Sequence, residues 1–309
     1  SRGLGDVYKR QDIKTDVTND SDTEATGVSV KSTVYNKEGD VVSTQTDDIT
    51  VAAGKTETIS QSVDVANPKL WSVDSPNLYW VRTEIIQNGK VVDRTDSRFG
   101  IRYIATNPNS GFYLNGVHTK LNGVCEHSDL GSLGMETYQA AVDRRIRTLK
   151  KYGVNAIRTS HNPVSPEFIE ACDRLGMLVF EEAFDQWLYS KNSDDYHNYF
   201  NKAADGKTVV FDKAGNDNTN NDTSYIEVKR EDLQSNAERD IKAMVDRDKN
   251  APCIFAWSTG NEIYDARYKH GENTLDMLTG WIKEIDTTRP VAACPPTWDN
   301  YWANNAQQE

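Results

Sequence analysis

Apolar and polar positions alternate with a period of two along the first hundred residues and with a helical period afterwards, and that switch divides the chain. From Asp12 to about Tyr103, runs such as GVSVKSTVYN, KTETISQSVDV and LYWVRTEIIQNGKVVDRTDSRFGI are punctuated by turn signals such as KEGD and NGK. No helical period occurs in this stretch. Short strands at a spacing of about 8–12 residues predict a small antiparallel β-sandwich, a module whose simplest role is structural.

After GFYLNGVHTK the texture changes. An apolar strand, KLNGV, precedes a helix from about Thr137 to Tyr152, with Tyr138, Ala141, Val142, Ile146 and Leu149 on one face. Next come the strand NAIRTS and a helix that Ser165 and Pro166 open as N-cap and first residue and Gly176 closes. MLVFEEA is a third strand. Leu233, Ala237, Ile241, Met244 and Val245 mark a third helix, and CIFAWSTGNE follows as a fourth strand. Leu275, Leu278, Ile282 and Ile285 mark a fourth helix, with PVAACPP as a fifth strand. Strand–helix alternation demands a parallel sheet, either doubly wound or closed as a barrel. No glycine-rich phosphate loop follows any strand, which counts against a nucleotide-binding sheet. A long polar segment from Asn192 to about Asp222 reads as an inserted surface excursion.

Composition narrows the picture. The 309 residues are 37% apolar with seven Trp and fourteen Tyr, enough for sizeable cores, and carry a net charge of −12. Such a surface repels a phosphate backbone, so nucleic acid is not an expected partner. Apolar runs stop short of a membrane span. Cys125, Cys172, Cys253 and Cys294 lie far apart without a CxxC pair and read as thiols, not as a metal knot or disulfide framework. The opening SRGLGDVYKRQ fits no strand or helix template and is set aside as a non-native leader, residues 1–11. The closing WANNAQQE completes no unit, which suggests a fragment.

Chemistry collects where the later strands end. The first yields Glu126, His127 and Asp129, and the second Arg158, Ser160, His161 and Asn162. Glu181, Glu182, Asp185 and Trp187 follow the third, and Asn261 and Glu262 the fourth. In a (β/α) barrel these ends form one face, the face that carries active sites. Each residue also has a bland reading. His127 and His161 can satisfy loop carbonyls, and Arg158 can be the buried partner of a carboxylate. Glu181 and Glu182 are adjacent, so one points inward and one outward. Trp187 is either core or a platform for a sugar ring. An acidic and aromatic rim without a cofactor motif suggests carbohydrate chemistry, since glycosidic cleavage needs two carboxyl groups. Glu262 suits the proton donor if nearby Trp257 desolvates it, and Asn261 suits the sugar 2-hydroxyl.

Taken in order, GVCEHSDLG, NAIRTSHNP, LVFEEAFDQW and IFAWSTGNE resemble the catalytic barrel of glycoside hydrolase family 2. LWSVDSPNLYWVRTEI followed by DSRFGIR resembles the end of the immunoglobulin-like domain before that barrel, and the likeness runs from about Val28 to Pro296. The resemblance implies a multidomain β then α/β chain: an immunoglobulin-like β-sandwich over residues 12–103, then an incomplete (β/α)8 TIM barrel over 104–309. It implies a retaining hydrolase of terminal β-linked sugars, with β-galactosides the default substrate and no cofactor. By the same resemblance Glu262 matches the acid/base and Asn261 the substrate-hydroxyl ligand. His127, Arg158 and His161 match pocket-lining positions, and Asp185 with Trp187 a sugar-contacting pair. Gln186 and Leu188 stand where metal-dependent members have a Glu-x-His, so no catalytic magnesium is expected. The jelly-roll domain that usually begins family members is missing, and the family's nucleophilic Glu falls beyond Glu309, so this polypeptide is expected to be inactive alone. Two alternatives stand beside this reading: a different barrel glycosidase pairing Glu182 with Glu262, and a non-catalytic carbohydrate-binding or scaffold protein on a degenerate barrel.

Overall fold

The computed structural model describes residues 8–187, 236–267 and 269–294, and these form two compact units whose main division falls between Lys120 and Leu121. In the first, six strands run β1 (Tyr8–Thr18), β2 (Ala25–Tyr35), β3 (Val41–Val51), β4 (Thr56–Ala66), β5 (Tyr79–Gln87) and β6 (Lys90–Phe99). A four-stranded sheet, β3-β2-β5-β6, and a two-stranded sheet, β1-β4, are both antiparallel. The period-two pattern buries Val28, Val30 and Val34 of β2 and Val63 and Val65 of β4; Val34, Val63 and Val65 pack with Tyr79 and Ile101, and Val30 with Val17 and Val51. One polar bridge crosses this core: Ser32 Oγ donates to Gln61 Oε1 (2.7 Å), and Gln61 Nε2 donates to the Val30 carbonyl (3.0 Å). The NGK signal is a two-residue hairpin turn, with Asn88 (φ 52°) and Gly89 (φ 76°) in the left-handed region that such turns require.

One boundary differs from the sequence reading. Tyr8–Gln11, set aside as part of a leader, pair with Ala66–Val63 as the first rungs of β1. In β1 the less exposed positions are Lys9, Gln11, Ile13, Thr15 and Val17. Three of those five are polar, so the alternation carries little hydrophobic signal. Residues 104–118 build a small antiparallel sheet of β7 (Ile104–Asn107), β8 (Gly111–Leu114) and β9 (Val117–His118), which groups by contacts with the first unit.

The second unit holds a five-stranded parallel sheet of β10 (Gly123–His127), β11 (Ala156–Ser160), β12 (Leu178–Glu182), β13 (Ile254–Asn261) and β14 (Val291–Cys294), hydrogen-bonded in that order. Sequential order is the winding of a barrel, not of a doubly wound sheet, where the order reverses. Between the strands run α1 (Gln139–Lys151), α2 (Pro166–Leu175), α3 (Asn236–Asp248) and α4 (Lys269–Ile285). The start and stop signals of α2 act as expected: Ser165 Oγ accepts from the Phe168 N–H (3.3 Å), and Gly176 takes φ 76° past the end. Ile146 of α1, Ile241 and Val245 of α3, and Leu278, Trp281 and Ile282 of α4 are all fully buried, as are Ile157, Leu178, Val179 and Ile254 on the strands. Each such burial contributes about 1.5–3 kcal/mol of apolar transfer free energy. The polar segment 192–222 and Leu233 lie outside the described residues, as do the two prolines that end PVAACPP.

Candidate active site

Because the strands are parallel, the carboxyl ends of β10 to β13 lie along one rim, and register decides which side chains face inward there. Glu182 pairs with Ser258, and Glu181 with Trp257. The first pair faces the concave side of the sheet and the second faces the helices, since neighbours in register share a face.

Glu182 is fully buried and both of its oxygens are engaged. Oε2 accepts from Arg158 Nε (3.0 Å), Arg158 Nη2 (2.6 Å) and Ser258 Oγ (2.7 Å). Oε1 lies 2.6 Å from His161 Nδ1. A carboxylate offers only acceptors, so Nδ1 carries the hydrogen and His161 Nε2 is left for another partner. Arg158 Nη2 also donates to Asn261 Oδ1 (2.9 Å), and Asn261 Nδ2 donates to Asp185 Oδ1 (2.9 Å). The amide orientation of Asn261 follows from these two partners of opposite kind. His127 is exposed, and its ring meets that of His161 edge-on at 5.3 Å. Six of the residues singled out in the sequence, His127, Arg158, His161, Glu182, Asp185 and Asn261, thus form one connected group.

Glu262 sits at the end of β13 beside Asn261, exposed and with φ 46°. A left-handed backbone is unfavourable for a residue with a Cβ and is held there by the surrounding fold. Trp257 does not desolvate Glu262 as expected. It is buried on the helix side, with its indole N–H donating to Asp286 Oδ2 (2.8 Å). Trp187 also departs from expectation. Its relative exposure is 0% and its indole N–H donates to the Thr259 carbonyl (2.7 Å), so it packs beneath the rim and offers no open face for a sugar ring.

Other rim residues serve the frame. Glu126 faces outward to Arg145 Nη1 (3.1 and 3.2 Å), and burial pushes its carboxyl above the usual range despite that partner. Asp129 accepts from the Gly131 N–H (2.6 Å), Ser160 is buried, and Asn162 donates to Ser128 Oγ (3.3 Å). Glu181 is buried against α3, where Arg247 Nη2 donates to its Oε1 (3.3 Å). Burial, and then the Asp248 carboxyl, raise Glu181 well above the usual carboxylate range. Sequence reasoning missed Ser258 and Gly260. A small polar residue inside the apolar run of β13 was the signal for Ser258. Gly260 is glycine because a Cβ there would lie 2.5 Å from Ile263 Cδ1 and 2.8 Å from Trp187 Nε1. Cys294 Sγ lies 3.9 Å from Ser258 Oγ, and burial raises its thiol. Among the described residues no group of three or more His, Cys, Asp or Glu is gathered to hold a metal ion.

Known proteins resemble the chain along nearly its whole length. Residues 106–305 match the family model described as "Glycosyl hydrolases family 2, TIM barrel domain", and residues 4–102 match that of "Glycosyl hydrolases family 2". The chain is 33% identical over 312 residues to the β-galactosidase BoGH2A of Bacteroides ovatus, covering 91% of this chain and 33% of that protein. It is 36% identical over 230 residues to a putative β-glucuronidase of Formosa agariphila, covering 74% of this chain and 18% of that protein. A crystal structure of a glycosyl hydrolase family 2 member from Bacteroides cellulosilyticus superposes with a TM-score of 0.80 at 32% identity, over 96% of this chain and 34% of that one. The chain therefore spans about a third of the length of these Bacteroides relatives. Carrying both domain signatures in order, it belongs to glycosyl hydrolases family 2.

Proposed function

We propose that this chain supplies the acid/base half of a retaining glycoside hydrolase acting on terminal β-linked sugars, with β-galactosides as the favoured class. The observation that carries the reading is the Asn261–Glu262 pair. One carboxyl is exposed at a strand end, next to an amide held from both sides by Arg158 and Asp185. In the first step Glu262 donates its proton to the leaving glycosidic oxygen. In the second the resulting carboxylate takes a proton from water, which attacks the anomeric carbon. The remaining Asn261 N–H donates to the sugar 2-hydroxyl. His127 and the free edge of His161 line the glycone side of the site.

The cycle needs a second carboxylate as nucleophile. Glu182 is unsuited to it: its oxygens hold a guanidinium, a hydroxyl and an imidazole, and none of its surface is open. Glu182 therefore does not serve as that nucleophile.

In the full-length protein, Glu262→Gln is expected to lower hydrolysis of alkyl β-galactosides by about 10²–10⁴-fold, the usual contribution of a positioned general acid or base. Azide should restore turnover of a dinitrophenyl galactoside as the β-galactosyl azide, since that leaving group needs no proton. Undiminished hydrolysis by the variant overturns the role of Glu262.

A further inference from the structure

The Glu182 carboxylate gathers donors from two strands and a strand-end loop: Arg158 on β11, His161 just after it, and Ser258 on β13. Its relative exposure is 0%, so none of these bonds competes with water. Arg158 Nη2 lies between two acceptors, Glu182 Oε2 at 2.6 Å and Asn261 Oδ1 at 2.9 Å. Asn261 Nδ2 is held in turn by Asp185 Oδ1 at 2.9 Å. Turning the Asn261 amide over would place its NH2 against the guanidinium and its oxygen against a carboxylate, two repulsive contacts exchanged for two good ones. The amide is therefore fixed as a donor toward the site.

We propose that Glu182 is a positioning residue that never touches substrate: it anchors Arg158, and through Arg158 it sets the Asn261 amide as the donor that reads one sugar hydroxyl. The proposal rests on Asn261 being the ligand of the 2-hydroxyl. A buried carboxylate holding a guanidinium in a two-pronged geometry fixes direction as well as distance, which a neutral or shorter partner does not.

The test measures, in the full-length protein, the ratio of kcat/KM for a β-galactoside over its 2-deoxy analogue. Glu182→Leu removes both acceptors and is expected to reduce that preference by about tenfold or more, the scale on which misplacement of a positioning group costs rate. Glu182→Gln keeps one acceptor oxygen for Arg158 if His161 takes its other tautomer, and should reduce the preference less. It also carries the test should the leucine variant fail to fold. Asn261→Ala should abolish the preference, and combining it with either Glu182 variant should reduce it no further, because the two residues act through one contact. A merely structural Glu182 would lower thermal stability and leave the ratio unchanged. Asn261→Ala losing the preference while folded Glu182 variants keep it overturns this proposal alone. Asn261→Ala keeping the preference overturns the reading of Asn261 and this proposal with it. Covalent labelling of Glu182 by a 2-fluoro glycoside overturns it outright.

Discussion

Adding one methyl group at Gly260 and one at Gly280 should move stability in opposite directions, and the structure gives the reason for each sign. At Gly260 the new Cβ would stand 2.5 Å from Ile263 Cδ1, 2.8 Å from Trp187 Nε1 and 3.1 Å from Ile263 Cγ1. Carbon contacts are comfortable at about 3.5–4.0 Å, so the neighbours must retreat by roughly 1 Å. The tip of Ile263 can turn, but it is 1% exposed and has little room. Trp187 is fully buried and tied to the Thr259 carbonyl, so moving it strains a second bond. Overpacking of this kind costs about 1–3 kcal/mol. In a unit of this size that lowers the melting temperature by about 2–4 °C per kcal/mol. At Gly280, inside α4, a Cβ meets nothing within 4 Å. There Gly280→Ala should stabilise by about 0.5–1 kcal/mol through helix propensity. Urea unfolding of the two variants, followed by tryptophan fluorescence and far-UV circular dichroism, measures both. Because Gly260 precedes Asn261 and Glu262, its variant should also lose activity in the full-length protein. A Gly260→Ala protein as stable as the parent, or a Gly280→Ala protein destabilised as much as Gly260→Ala, refutes the packing argument.

Two buried carboxyls give pH dependences of opposite sense. Burial and Asp248 raise Glu181, with Arg247 opposing, so the folded state binds this proton more tightly than the unfolded chain. Its contribution is present below the ordinary glutamate value and is lost as pH rises through the raised folded value. Glu181→Gln should therefore flatten the fall in unfolding free energy as pH rises above the ordinary glutamate value; an unchanged slope counts against a proton there. Burial alone would raise Asp286, but the Arg289 guanidinium and the Thr288 hydroxyl and amide hold it at about 2. Its contribution is complete above the ordinary aspartate value and is lost as pH falls through about 2. Asp286→Asn removes the carboxylate that lies 2.6 Å from Nη1 of Arg289, which is 6% exposed, and weakens the bond to Trp257. Breaking such a pair costs about 3–5 kcal/mol at neutral pH, a difference that guanidinium unfolding should show shrinking toward pH 2.

The sequence made the rim legible but not its depth. That the strands would end in polar clusters, that α2 would start at Ser165–Pro166, and that one of Glu181 and Glu182 would face away all followed from periodicity and cap chemistry. Trp257 was misassigned because strand parity was applied within β12 but not carried across to β13. Glu181 aligns with Trp257 and Glu182 with Ser258, so once Glu182 faces the site, Trp257 must face the helices with Glu181. Register is a long-range property, and no local pattern in FAWSTGNE reveals it. Beyond Ser258 the register of β13 against β14 shifts before Asn261, so plain alternation does not reach the last two residues of the motif. Gly260 lies inside that shift. With no side chain there, Trp187 and Ile263 close over the backbone while Asn261 turns toward Arg158 and Asp185 and Glu262 takes its left-handed turn. Glu262 thus leaves the strand through its own left-handed backbone, two residues after a glycine whose neighbours leave no room for a Cβ. A rival arrangement in which Trp257 shields the acid would require β13 to slip by one residue, which would carry Ser258 away from Glu182 and leave that buried carboxylate one donor short.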